Sequence, residues 1–192
     1  MSARRVLTPW ACCLLLLAKT AVAADAIYET PEAAAADPDF TLQGEYAGDR
    51  LGMQVAALGD GEFLVVSYPG GLPGAGWTGK DKQTVEADRD EVKEFVAMLK
   101  KAERSSPTLG AKPPQDAVTL FDGTKASLDK HWKPGAKITA DGLLMQGCTS
   151  LDTFRDFTLH LEFRTPFMPK ARGQGRGNSG VYYQGRYETQ VL

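Results

Sequence analysis

The sequence predicts a mainly β protein. An incomplete sandwich or jelly roll occupies its C-terminal part, preceded by a small β-rich module and one amphipathic helix. Three observations lead there. Short runs of β-forming residues are bounded at close spacing by Gly, Pro, Asn and Asp. The stretch from Phe157 to Leu192 alternates apolar and polar residues with period two, so one face can rest on a core and the other stay polar. Helical spacing of apolar residues is found only near residues 88–106.

Residues 1–23 read as a signal peptide. Arg4 and Arg5 form its positive region, Val6 to Ala18 its mostly apolar core, and Ala21-Val22-Ala23 a small-x-small cleavage pattern. That core is too short for a permanent membrane helix, so no stable span is expected after cleavage, and the localisation expected is secreted or periplasmic. Residues 25–106 read as a small N-terminal β module. Its Ala-rich start leads into a strand at Phe40–Tyr46 and a hairpin of Leu51–Ala57 with Glu62–Tyr68 around Leu58-Gly59-Asp60-Gly61. Pro69 to Trp77 is a Gly/Pro loop.

Asp88 opens a helix expected over 88–106. Asp88 and Glu91 have capping-box spacing, and Val92, Phe95, Val96 and Leu99 form one packing stripe. Residues 107–116 are a Pro-rich linker. The second β unit runs over 117–192. Strands are expected at Val118–Phe121 and Phe157–Thr165, with a hairpin of Lys137–Thr139 and Leu143–Gln146 and a final pair Val181–Gln184 and Tyr187–Leu192. The last strand is still running at Leu192, and the expectation is a truncated domain.

The whole sequence is 43% hydrophobic and 24% charged, enough to bury a core. Removing residues 1–23 takes away three cations and no acid, moving the net charge from −2 to −5. Nucleic-acid binding then has no electrostatic support. The same cut leaves Cys148 as a single thiol, which forms no internal disulfide. It reads as a small strand-end residue rather than a nucleophile.

Gly175-Arg-Gly-Asn-Ser-Gly180 fits the spacing of a dinucleotide loop, but the required strand and helix do not flank it. Its glycines suit a sharp loop, with Asn178 and Ser179 at a site rim. In the last hairpin, a three-residue loop Gly185-Arg186-Tyr187 would oppose Gln184 to Glu188 and Tyr182 to Gln190. That sorts the polar groups onto one face and Val181, Tyr183, Thr189 and Val191 onto the other. A phenol, two amides and a carboxylate together suit a sugar: the ring stacks on C–H faces and the amides read hydroxyls. On 157–165, His160, Glu162 and Arg164 point away from Leu159, Leu161 and Phe163. A zinc site from His131, Cys148 and His160 lacks ligand spacing.

These residues carry a resemblance. Leu120-Phe-Asp-Gly123, Trp132, Asp141-Gly-Leu143, Leu159-His-Leu-Glu-Phe-Arg164, Arg176-Gly-Asn-Ser-Gly-Val-Tyr182 and Gln184-Gly-Arg-Tyr-Glu-Thr-Gln190 resemble the 3-keto-disaccharide hydrolase family. This family is also described as 3-keto-glucoside 1,2-lyase and 3-keto-2-hydroxy-glucal hydratase. The likeness covers about residues 117–192 and is to secreted, planctomycete-like members. Thr189 stands where the family usually has a β-branched aliphatic residue, and the family's following Asp-Ser segment is not reached.

The resemblance implies a concanavalin A-like jelly-roll sandwich with sugar on its concave sheet. It also implies a hydrolase or lyase acting on 3-keto-glycosides, with an oligosaccharide or 3-keto-glycoside as partner. A C3 ketone acidifies the C2 proton, a base removes it, and the C1 substituent leaves by elimination before water adds. On that reading Glu188 is the first candidate for base or metal ligand, His160 the second, and Arg164 or Arg186 stabilises the enolate. Tyr182, Gln184 and Gln190 orient the sugar, with Asn178, Ser179 and Glu162 as further contacts. A divalent metal is compatible with this chemistry, but no ligand set is defined. The alternative is a non-catalytic carbohydrate-binding jelly-roll module.

Overall fold

Two hairpins and a returning edge strand build the first sheet. The structure, a computed structural model, describes residues 26–191. The expected signal peptide lies outside the described residues. Strands β1 (Gly44–Ala47), β2 (Leu51–Gly59), β3 (Glu62–Pro69), β4 (Gln83–Asp88) and β5 (Lys100–Ala102) form one antiparallel sheet in the order β4-β3-β2-β1-β5. The β2–β3 turn centres on Asp60 and Gly61, both with positive φ (58° and 85°), the conformation that suits a tight hairpin to the strand twist. Just before it, the register slips between Ala57 and Gly59, a β-bulge.

Alternation puts Val55 and Ala57 of β2 beside Val65 and Phe63 of β3, with Ala87 of β4 opposite Phe63. These residues are almost fully buried. Two short helices, α1 (Pro31–Ala34) and α2 (Pro38–Leu42), precede the sheet, each with proline in its first turn, where no N–H is missed. Ala34 joins the core, and Asp39 is buried at 2% exposure. The Asp39 carboxylate accepts two hydrogen bonds from the Arg89 guanidinium (3.0 and 2.6 Å) and one from the Gly61 N–H (2.9 Å). The buried charge is therefore paired and its lone pairs used.

The helix expected over 88–106 is shorter. Helix α3 spans Arg89–Val96, and the chain then straightens into β5 against β1. The capping box forms: Asp88 accepts from the Asp90 and Glu91 N–H groups, and Glu91 accepts from the Asp88 N–H. Val92 is fully buried, and Val96 and Leu99 pack beside it. Pairing with the open edge of β1 replaces the helical bonds that Lys100–Ala102 would otherwise make.

The second unit is tied more by turns than by ladders. Thr124 caps helix α4 (Lys125–His131), and the Trp132 indole N–H donates to the Leu120 carbonyl (2.9 Å). The expected hairpin around Ala140-Asp141-Gly142 forms as a single bridge, Ile138 to Leu144. Strands β6 (Ser179–Tyr183) and β7 (Tyr187–Val191) make a two-stranded antiparallel ribbon. The strands expected at Val118–Phe121 and Phe157–Thr165 do not form: an alternating pattern defines two faces but supplies no hydrogen-bonded neighbour. Among the described residues seven strands, all in antiparallel pairings, against a few short helices give a mainly β protein consistent with a sandwich.

The two units meet through residues 164–177. Phe167 exchanges backbone hydrogen bonds with Tyr28 (3.0 and 2.9 Å). Its ring enters the core of the first sheet at 7% exposure, edge-on to Phe40.

Candidate functional site

The β6–β7 ribbon carries the polar cluster, in a register different from the expected one. Tyr183 pairs with Tyr187, Tyr182 with Glu188, Val181 with Thr189 and Gly180 with Gln190. The turn is Gln184-Gly185-Arg186, with positive φ at Gln184 (55°) and Gly185 (65°) and the Arg186 N–H donating to the Tyr183 carbonyl. Gln184 thus sits in the turn rather than opposite Glu188. Tyr182, Glu188 and Gln190 still share one face, because the shift moves the partner by two residues and preserves which side each side chain takes.

On that face Tyr182 stands directly opposite Glu188, and the neighbouring carboxylate, as a hydrogen-bond acceptor first and as a negative charge second, pushes the phenol pKa up. Tyr182 therefore stays a proton donor. The Glu188 carboxylate lies directly over Gly180: a Cβ there would come within 1.9 Å of its Oε1. Only the missing side chain of glycine lets the carboxylate fold back along the ribbon. The Gln190 amide donates to the Asn178 side-chain oxygen and to the Ser179 carbonyl (2.9 Å), joining the Gly-rich loop to β7. All four groups are exposed.

The opposite face carries Val181, Tyr183, Tyr187 and Val191, with Ser179 and Thr189 as its polar members. Tyr183 meets Phe157 (ring centroids 5.8 Å apart), and Phe157 meets Phe154. The aromatic contacts hold the extended segment 154–157 beneath the ribbon and leave the polar face open.

The remaining candidates stand elsewhere. His160 Nε2 is 3.7 Å from Glu162 Oε1, and that carboxylate also accepts from the Thr108 hydroxyl. Arg164 is held by Asp141 at 2.6 Å, and with Thr139 it lowers the Asp141 carboxyl to about 2. Ser179, opposite Val191, lies on the face away from Tyr182, and Arg186 is exposed on the turn. Among the described residues no hydrogen bond or ion pair joins His160, Glu162 or Arg164 to Glu188. Burial pushes the half-buried Cys148 thiol up, which disfavours a thiolate.

Two features were not foreseen. His131, 9% exposed at the end of α4, places Nδ1 2.7 Å from the Asp152 carboxylate, and its carbonyl accepts from the Leu151 N–H. The partners are 21 residues apart, and no local motif marks the pair. The docking of Phe167, Arg172 and Arg176 on the first sheet also lay outside any periodicity.

A hard divalent cation takes several oxygen ligands. Among the described residues no three His, Cys, Asp or Glu side chains are placed to hold a metal, and Glu188 is a single carboxylate on its face. Among the described residues these donors do not assemble a metal site. Among them, too, no helix is long and apolar enough to cross a membrane.

The chain is thus a mainly β protein with phenol, carboxylate and amide groups exposed together on one face of a ribbon. Residues 116–192 match the family model of the 3-keto-alpha-glucoside-1,2-lyase-like domain. The match coincides with the segment that carries the resemblance seen in the sequence, and it points to a carbohydrate-related hydrolase or lyase family. No curated protein and no solved structure matches the chain.

Proposed function

We propose that the C-terminal segment acts on 3-keto-glycosides by elimination followed by hydration, in carbohydrate breakdown outside the cytoplasm. The observation that carries this reading is the shared face of Tyr182, Glu188, Gln190 and Asn178 inside the family-matched segment. The N-terminal Arg4, Arg5 and apolar run support a secreted or periplasmic location.

The Glu188 carboxylate takes the C2 proton, and the C2–H electron pair forms an enolate with its charge on the C3 oxygen. That enolate collapses to restore the ketone, forms the C1–C2 double bond and expels the C1 oxygen, which takes up a proton. Water then adds oxygen to C1 and hydrogen to C2, so the sum is hydrolysis. The protonated Tyr182 is a suitable donor to the enolate oxygen. Arg164 begins paired with Asp141, whereas Arg186, exposed on the ribbon's own turn, would stabilise the enolate charge. Gln190 and Asn178 on that face, with Gln184 at the turn beside it, would orient hydroxyls.

Glu188→Gln tests the role. Release of nitrophenolate from a 4-nitrophenyl 3-keto-glucoside should fall by at least about a hundredfold while oligosaccharide binding is kept. Unchanged turnover would remove Glu188 as the base. A second reading, a non-catalytic sugar-binding face, draws on the exposure of Tyr182, 62%, which suits a stacking platform. It predicts binding without turnover in the unaltered protein.

A further inference from the structure

The β-bulge at Ala57–Gly59 frees backbone carbonyls at the end of β2. Two arginines from the second unit take them. The Arg176 guanidinium donates to the Ala57 carbonyl (2.9 Å) and to the Gln43 side-chain oxygen (3.1 Å). The Arg172 guanidinium donates to the Leu58 carbonyl (2.9 Å). The same Gln43 oxygen also accepts from the Ala57 N–H (3.1 Å), so Gln43 is fixed by the sheet before Arg176 reaches it. Burial and the neighbouring Arg172 both push the Arg176 pKa down, yet among the described residues no carboxylate pairs with it. Its forked donors are committed to the bulge.

Arg176 is followed at once by Gly177-Asn178-Ser179. Gly177 has φ 61°, its N–H points to the Met168 sulfur (3.4 Å), and a Cβ there would press on Thr165 at 3.0 Å. The loop is thus closed on itself and anchored to the first sheet through Arg172 and Arg176. Asn178, on the far side of that anchor, bonds to Gln190 beside Glu188.

We infer that the N-terminal β module positions the sugar-facing loop, with Arg176 as a positioning residue acting through the bulge carbonyl of Ala57 and through Gln43. The module over 25–106 is then part of the site's support. That Asn178 meets a sugar rests on the function proposed above, whereas the anchoring of the loop does not.

The test uses the full chain with Arg176→Gln and, from the other side of the contact, Gln43→Met. Hydrogen exchange of amides 177–183 should quicken at least about tenfold in both, because each loses the charged hydrogen bond between the Arg176 guanidinium and Gln43. On a 3-keto-glucoside, KM should rise about fivefold with kcat changed less than twofold, since orientation rather than the base is lost. Arg176→Lys should rescue neither property, because an ammonium cannot span both acceptors. Unchanged exchange at 177–183 in Gln43→Met, with the first sheet still protected, would overturn the inference. If the unaltered protein turns over no 3-keto-glucoside, the functional reading fails, and the exchange result alone decides the anchoring. Should Arg176→Gln unfold the chain, Gln43→Met, which keeps every charge, decides between anchored and free.

Discussion

Asp141 and Arg164 show how one contact ties a turn to a candidate site residue. The Arg164 guanidinium and the Thr139 hydroxyl hold the Asp141 carboxyl at about 2, below its ordinary 3.8. A lowered folded pKa means that this contact stabilises the protein fully above the unfolded value and is lost as pH falls through the folded one. The window is therefore roughly pH 4 down to 2. Arg164→Gln should return the Asp141 titration toward 3.8, as followed by NMR of its carboxyl carbon. An Asp141 still titrating near 2 in that variant would assign the shift to Thr139. Glu188 is different in kind, because its phenol partner can turn to a ligand, whereas Arg164 must first leave a carboxylate.

At the scale of elements, the start of α3 was legible, whereas the start of β1 was not. Phe40–Leu42, expected in a strand that runs to Tyr46, belong to helix α2, capped by Asp37 and opened by Pro38, and β1 begins only at Gly44. What depends on a neighbour was not legible either. Asp88 and Glu91 specify the start of α3 by themselves, and the capping box forms. Asp88→Ala should cost about 1 kcal/mol in urea unfolding, with α3 amides the first to lose protection. A loss near zero would mean that burial of Val92 alone holds the turn. The end of α3 was not legible, since β1 offers an edge much earlier in the chain and β5 takes it (Glu45 to Ala102 down to Ala47 to Lys100). The β6–β7 ribbon divides the same way. Sorting polar from apolar residues fixes only whether the register is odd or even, so Tyr182, Glu188 and Gln190 were assigned to one face correctly. The pairing itself turned on which residues made the turn, and Gln184 entered a left-handed conformation that its residue type does not advertise. The alternation at 157–165 likewise gave two faces but no partner strand.

For the whole molecule, the contact made by residues 164–177 decides whether the first sheet and the chain that carries the β6–β7 ribbon unfold together. Phe167 lies far from the first sheet in sequence and yet stands in its core beside Ala34, Ala57 and Phe63, with Tyr28 and Phe40 against its ring. No periodicity announced this, because the surrounding Pro166, Pro169 and glycines read as loop. Burying a phenylalanine there contributes on the scale of a core residue, so Phe167→Ala should cost about 3 kcal/mol, the low end for a buried aromatic. The effect should appear in the wrong unit: amides of β2 and β3 should exchange about a hundredfold faster although neither strand is altered. Arg172 and Arg176 would still hold the carbonyls of Leu58 and Ala57, so the loop should loosen less than the sheet. Faster exchange confined to residues 165–178, with β2 and β3 unchanged, would show that Phe167 rests on the first core without forming part of it.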